Sequence, residues 1–147
     1  MEKLFLFRHA LYENDYNYDD PKLSERGKIQ AKELAENIEA NLNGDNKDIT
    51  IWTSPAIRAK ETALIIKEKF PTAAYVEYEK LWADRDHRCD FDWLENQLNN
   101  FQGEILIIIS HLKYVCDFPK RLGFDNINVG CAGGILVENE NYTYFNN

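Results

Sequence analysis

Two rhythms of apolar residues alternate along the chain. KLFLF at 3–7 and EILIIIS at 104–110 are nearly unbroken apolar runs, the kind a strand carries when both faces of its sheet are covered. DITIWTS at 48–54 is a third run of this kind, and AAYVEYE at 73–79 a shorter fourth. Between them the period turns helical. From residue 24 onward Ala31, Leu34, Ala35, Ile38 and Leu42 fall on one side, with Ser24 placed to cap and Gly44 to stop the helix. SPAIRAKETALIIKEKF at 54–70 predicts a second helix, capped by Ser54 with Pro55 in its first position. FDWLENQLNNF at 91–101 predicts a third, and HLKYVCDFPKRLG at 111–123 a fourth that Pro119 kinks or divides. GGILVE and NYTYFN finish as two strands that pair through a turn at 138–140. This βαβα order predicts an α/β fold: a doubly wound, mostly parallel sheet flanked by helices, with right-handed crossovers and an antiparallel pair at its end.

The length of 147 residues fits a single domain, 1–147, with a core that needs no disulfide staples. Cys89, Cys116 and Cys131 are odd in number and form no CxxC pair, which predicts buried, reduced thiols and a cytoplasmic protein. The apolar run at 1–7 is too short for a signal peptide, and no stretch approaches the roughly 20 apolar residues a bilayer span needs, so no membrane partner is expected. Lys and Arg number 17 against 25 Asp and Glu, for a net charge of -8. With no basic block, nucleic acid is not an expected partner either.

Ligands of such sheets bind beyond the carboxyl ends of the strands, so the residues that follow each run carry the chemistry. The first run ends in Arg8-His9, the second leads through Ser54-Pro55 to Arg58, and the run at 104–110 ends in Ser110-His111. Taken singly, an arginine or histidine at a strand end is ordinarily a surface charge or a hydrogen-bonded imidazole. Two of each at one sheet edge make a positive cluster in an acidic protein, matched to an anion with the charge and acceptor oxygens of a phosphoryl group. Zinc competes for paired histidines, but a third ligand and any HExxH or Cys-His pattern are missing, so neither a metal nor a cofactor is expected. No Walker A or GxGxxG loop is present. The polar stretch 12–22, YENDYNYDDPK, is long enough to be a working loop that overhangs the edge.

Four segments, in order, resemble the histidine phosphatase superfamily, whose fold is phosphoglycerate-mutase-like. FLFRHA resembles the Arg-His-Gly signature, LSERGKIQA the helix start that follows it, TSPAIRAKETA the Ser-Pro-x-x-Arg segment, and IIISHLKYV the segment of the second histidine. Together they span residues 3–115, and the short chain and the SHLKYV form resemble the small bacterial phosphohistidine phosphatase branch. One departure is plain: the glycine of the signature is Ala10. A glycine needed for positive φ would leave alanine strained there; one needed only for close approach would not.

The resemblance implies that His9 is the nucleophile that accepts the phosphoryl group, with Arg8, Arg58 and His111 gripping its oxygens. It implies a phosphatase that acts, without metal, on a phosphorylated small molecule or a protein phosphohistidine. The family places a carboxylate acid after the third strand, where EKLWADRDHRCDFD offers Glu79, Asp84 and Asp86; Asp84 is the choice made here, with Arg85, His87 and Arg88 placed to line the mouth. A phosphate-binding module with little turnover, or a mutase-type phosphotransferase, is the alternative.

Overall fold

In the computed structural model, which describes residues 1–14, 19–42, 44 and 48–146, six strands form one sheet. They are β1 (Lys3–Arg8), β2 (Ile49–Thr53), β3 (Ala74–Glu77), β4 (Ile105–Ser110), β5 (Gly134–Glu138) and β6 (Asn141–Phe145), in the order β3-β2-β4-β1-β5-β6. The first four are mutually parallel, and β5 and β6 pair antiparallel at one edge. Four helices alternate with the strands: α1 (Glu25–Ala40), α2 (Ile57–Lys69), α3 (Phe91–Asn99) and α4 (Leu112–Asp117). The doubly wound α/β fold expected from the apolar rhythm is the one observed.

The unbroken runs resolve by parity, because successive side chains of a strand point to opposite faces. Phe5, Phe7, Ile105, Ile107 and Ile109 pack beneath α1 and α2 against Ala31, Leu34, Ile38, Ala59, Ala63 and Ile66. Leu4, Leu6, Leu106 and Ile108 face the other way, onto Leu94, Leu98, Tyr114 and Phe118. Each such fully buried side chain contributes roughly 1.5–3 kcal/mol. The central strands β1 and β4 therefore cannot slip by one residue without exchanging both cores, and this locks their ends, Arg8 and Ser110, opposite each other.

Local signals hold with three differences. Ser24 caps α1 by accepting from the Gly27 N–H at 3.0 Å, but α1 ends at Ala40, four residues before Gly44, whose φ is +79°. The second helix begins at Ile57 rather than at Pro55, because its first free N–H is capped from elsewhere: Ile57 N–H donates to Asp20 Oδ1 at 2.7 Å. The fourth helix is divided as expected, α4 giving way to a 3-10 turn over Phe118–Leu122 that contains Pro119. The β5–β6 turn is built by Asn139 and Glu140, both in the left-handed region, as a two-residue hairpin requires. The cysteines are free but only half-buried. Of the loop 12–22, residues 15–18 lie outside the described residues. No described helix is long and apolar enough to cross a membrane.

Candidate active site

The carboxyl ends of β1, β4 and β2 stand side by side, and the ladder runs on past them. His9 N–H donates to the Ser110 carbonyl at 3.0 Å, and Ser54 N–H to the Ile109 carbonyl at 3.1 Å. On its other side the turn before β5 grips the same loop: Arg8 N–H donates to the Gly133 carbonyl, and Ala132 N–H to the His9 carbonyl at 2.9 Å. His9 is thus fixed by sheet hydrogen bonds on both flanks.

Helix residues hold the rest of its loop. Thr62 Oγ1 on α2 accepts from Ala10 N–H at 3.0 Å and donates to the Arg58 carbonyl at 2.7 Å. Gln30 Oε1 on α1 accepts from Leu11 N–H. Gly27 sits so close to Leu11 that a Cβ there would meet its carbonyl oxygen at 1.8 Å, which explains a glycine inside the first turn of a helix. Ala10 itself is fully buried and lies outside the positive-φ region, so the alanine imposes no left-handed strain.

Both histidines are 3 % exposed, with ring centroids 5.2 Å apart. His9 Nδ1–H donates to the Ala10 carbonyl at 2.9 Å, which fixes the tautomer and leaves a lone pair on Nε2. Burial pushes its pKa well below the usual imidazole value; His111, Arg58 and Arg8 push the same way, against the Ala10 bond, so the ring is neutral. His111 accepts at Nδ1 from Arg58 Nη2 at 3.3 Å and donates from Nε2 to Ser54 Oγ at 2.9 Å. Burial, then Arg58, brings its pKa down to about 3. The half-buried Tyr12 closes over the pair, its ring 5.4 Å from His9 and 5.5 Å from the Arg58 guanidinium carbon.

The guanidinium groups have spare donors. Arg58 is 7 % exposed, and among the described residues its Nη1 has no hydrogen-bond partner although Asp20 stands 3.7 Å away; Arg8 Nε is buried and likewise unpartnered. Two guanidinium groups, each with a buried and unused N–H, beside a neutral imidazole make a receptor for an anion and a nucleophile in one place.

The family model described as histidine phosphatase superfamily (branch 1) matches residues 4–90. The chain belongs to that superfamily. Its structure is similar to that of the protein histidine phosphatase SixA solved with tungstate, at a TM-score of 0.77 and 18% identity, covering 97% of this chain and 93% of that one. It is also similar to YhfR of Bacillus stearothermophilus, at 0.71 and 15% over 98% and 95% of the chains. A phosphoglycerate mutase of Plasmodium falciparum follows at 0.66 and 19%, over 97% and 87%. No curated protein sequence matches the chain. The phosphoglycerate-mutase-like architecture of this histidine phosphatase superfamily member accords with those likenesses.

The structure brings Arg8, His9, Arg58, His111 and Asp84 to one edge, Asp84 Oδ2 lying 3.7 Å from Arg58 Nη2. Although residue 84 lies at the surface, its side chain is only 23 % exposed. Burial pushes its carboxyl upward, but hydrogen bonds from the His87 ring, the Asp86 N–H and the Trp82 indole outweigh that and hold it at about 2. It is a firmly ionised carboxylate. Of the other two candidates, Asp86 contributes its backbone N–H to Asp84 and Glu79 opens an exposed 3-10 turn, Glu79–Leu81. Asp84 and His87 border a cleft of about 910 Å³ whose far wall includes Leu112 and Cys116 of α4.

Sequence reasoning missed the supports. Thr62 and Gln30 lie inside the quoted segments, where only the segments and not their roles stood out. Ser54 was read as a helix cap; its hydroxyl does accept from Ala56 N–H, and it also receives the His111 proton. Asp20 carried no signal beyond its place in a polar loop.

Proposed function

We propose that this protein is a metal-independent phosphatase that hydrolyses a phosphomonoester or a protein phosphohistidine through a phosphohistidine intermediate on His9. The observation that carries the reading is the His9 Nδ1–H bond to Ala10, which leaves a neutral Nε2 lone pair beside two guanidinium groups that each hold a buried, unpartnered N–H. In the first step Nε2 attacks phosphorus, the P–N bond forms, and the bond to the leaving group breaks. In the second, water attacks the phosphohistidine, phosphate departs, and the electron pair returns to Nε2.

Arg8 and Arg58 neutralise the equatorial oxygens with N–H groups already desolvated, so little reorganisation is needed when charge shifts in the transition state. His111 joins them once an anion is bound. Its two ring nitrogens are engaged by Arg58 and Ser54, so it offers a donor to phosphate by taking a proton at Nδ1 as Arg58 turns to the anion. Bound negative charge favours that protonation. Tungstate, a phosphate-like oxyanion, in the SixA structure supports the assignment by likeness. Three free thiols accord with a reducing compartment, the cytoplasm.

Brief incubation with a labelled phosphodonor tests the reading. Label on wild-type protein should survive alkali, be released by acid and be absent from His9→Ala; label that persists in His9→Ala would sink the covalent mechanism.

A further inference from the structure

A leaving group bound as an oxyanion must be given a proton, and Asp84, the carboxylate expected to supply it, is poorly suited to do so. Asp84 accepts from three donors at once: the Trp82 indole at 2.7 Å, the Asp86 N–H at 2.8 Å and His87 Nδ1–H at 2.8 Å. A carboxylate gripped in this way is held ionised and has no proton to give.

The third of those donors is differently placed. His87 stacks on Trp82 with ring centroids 4.2 Å apart and planes 10° from parallel, so its ring is held in orientation as well as in tautomer. Because Nδ1–H is committed to Asp84, the far nitrogen, Nε2, is the one left for exchange, and among the described residues it has no hydrogen-bond partner. The ring borders the same cleft as Asp84, and it stands near enough to the phosphate end that its charge disfavours protonation of His111. The charged groups around it are Asp84 and Arg88 on its own segment, Lys113 and Asp117 across the cleft on α4, and Arg58 and His111 beyond Asp84.

We propose that His87 is the catalytic acid and base of this site, and that Asp84 is a positioning residue that orients it. The inference rests on the phosphatase reading above. When Nε2 of His9 attacks, the P–O bond of a phosphomonoester breaks and its electron pair stays on the departing oxygen, which takes the proton from His87 Nε2. Neutral His87 then accepts a proton from water as the water oxygen bonds to phosphorus and the P–N bond breaks. His87 ends the cycle protonated as it began. An imidazole gives and takes protons near neutral pH, which a carboxylate gripped by three donors does not.

The dependence of rate on leaving group separates this role from a structural one. His87→Asn keeps a side-chain N–H able to reach Asp84 but has nothing to titrate. With p-nitrophenyl phosphate, whose phenolate leaves without help, kcat/KM, which reports phosphoryl transfer to His9 and not the later attack of water, should stay within about threefold of wild type. With phenyl phosphate it should fall by roughly 10² or more, the usual range for general acid catalysis. Asp84→Asn should reproduce the same split in weaker form. An equal fall on both substrates, or none on phenyl phosphate, would overturn the role of His87. Labelling of His9 by the same phosphodonor, run in parallel, tells the two readings apart. If wild type labels and the split is missing, only the His87 assignment fails; if wild type does not label, both fail.

Discussion

The cluster of His9, Arg58 and His111 and the 82–90 segment beside it are built by different means. His9, Arg58 and His111 are at most 7 % exposed and stand on strand ends or on the first turn of a helix, with backbone hydrogen bonds on both flanks of His9. The 82–90 segment has no strand or helix; the Asp84 carboxylate gathers Trp82, Asp86 and His87, and backbone hydrogen bonds between Asp84 and His87 close the turn. The first region places cations where register dictates and desolvates them. The second leaves its imidazole partly in water, on a turn gathered by the Asp84 carboxylate. On the phosphatase reading, an anion of fixed geometry meets the groups that register fixes, and the leaving group meets the 82–90 segment.

The sharpest way to break the first region is to remove one cation. Arg58→Ala takes away a buried guanidinium with a spare N–H and frees Nδ1 of His111. Turnover of p-nitrophenyl phosphate should fall by about 10² or more, as loss of a preorganised transition-state donor generally costs. A rate near wild type would mean that the guanidinium does not meet the developing charge.

The same burial gives a pH dependence of stability in a window that Asp84 of the 82–90 segment does not share. His9 and His111 have folded pKa values below the unfolded value of about 6.5, so below that pH the unfolded chain binds protons the folded chain refuses. Stability should therefore be full above about pH 7 and fall as the pH drops toward 4, by up to roughly 1.4 kcal/mol per pH unit for each histidine. Asp84 works in another window: its pKa, about 2 against 3.8, gives stability present above 3.8 and lost only as the pH falls toward 2. Thermal melts between pH 7 and 4 check this, and His111→Gln should remove about half of the slope. A flat profile would mean that the rings take up protons while folded.

The same division decides what could be read from the sequence. Unbroken apolar runs fix the parity of β1 and β4, parity fixes the register, and register delivers Arg8 opposite Ser110; each step uses neighbours in the chain. Arg8, His9 and His111 are legible for that reason, and Arg58 because it lies just beyond the end of β2. Ser54 looked like a helix cap because a Ser-Pro pair reads the same whether its hydroxyl serves its own helix or an imidazole 57 residues away. Asp20 reaches the start of α2 across 37 residues, and no local pattern marks such a cap. His87 was placed only at the mouth, since the stacking on Trp82 and the bond to Asp84 that orient it come from a turn with no periodicity to announce it.

The smallest effect concerns the one residue at which the phosphate end leaves the family pattern. Ala10 gives its N–H to Thr62 and its carbonyl to His9, and both bonds are made by backbone atoms that glycine would also supply. Its methyl is fully buried and its φ is not positive, so here alanine fills space at no conformational cost. Ala10→Gly should therefore leave kcat within about threefold and lower stability by about 1 kcal/mol, from one lost buried methyl and a freer unfolded chain. Denaturant titration and steady-state rates measure the two quantities. A tenfold or greater gain in rate would show instead that the methyl pushes the His9 loop out of its best position, and the rigidity of this end would then be limiting turnover rather than serving it.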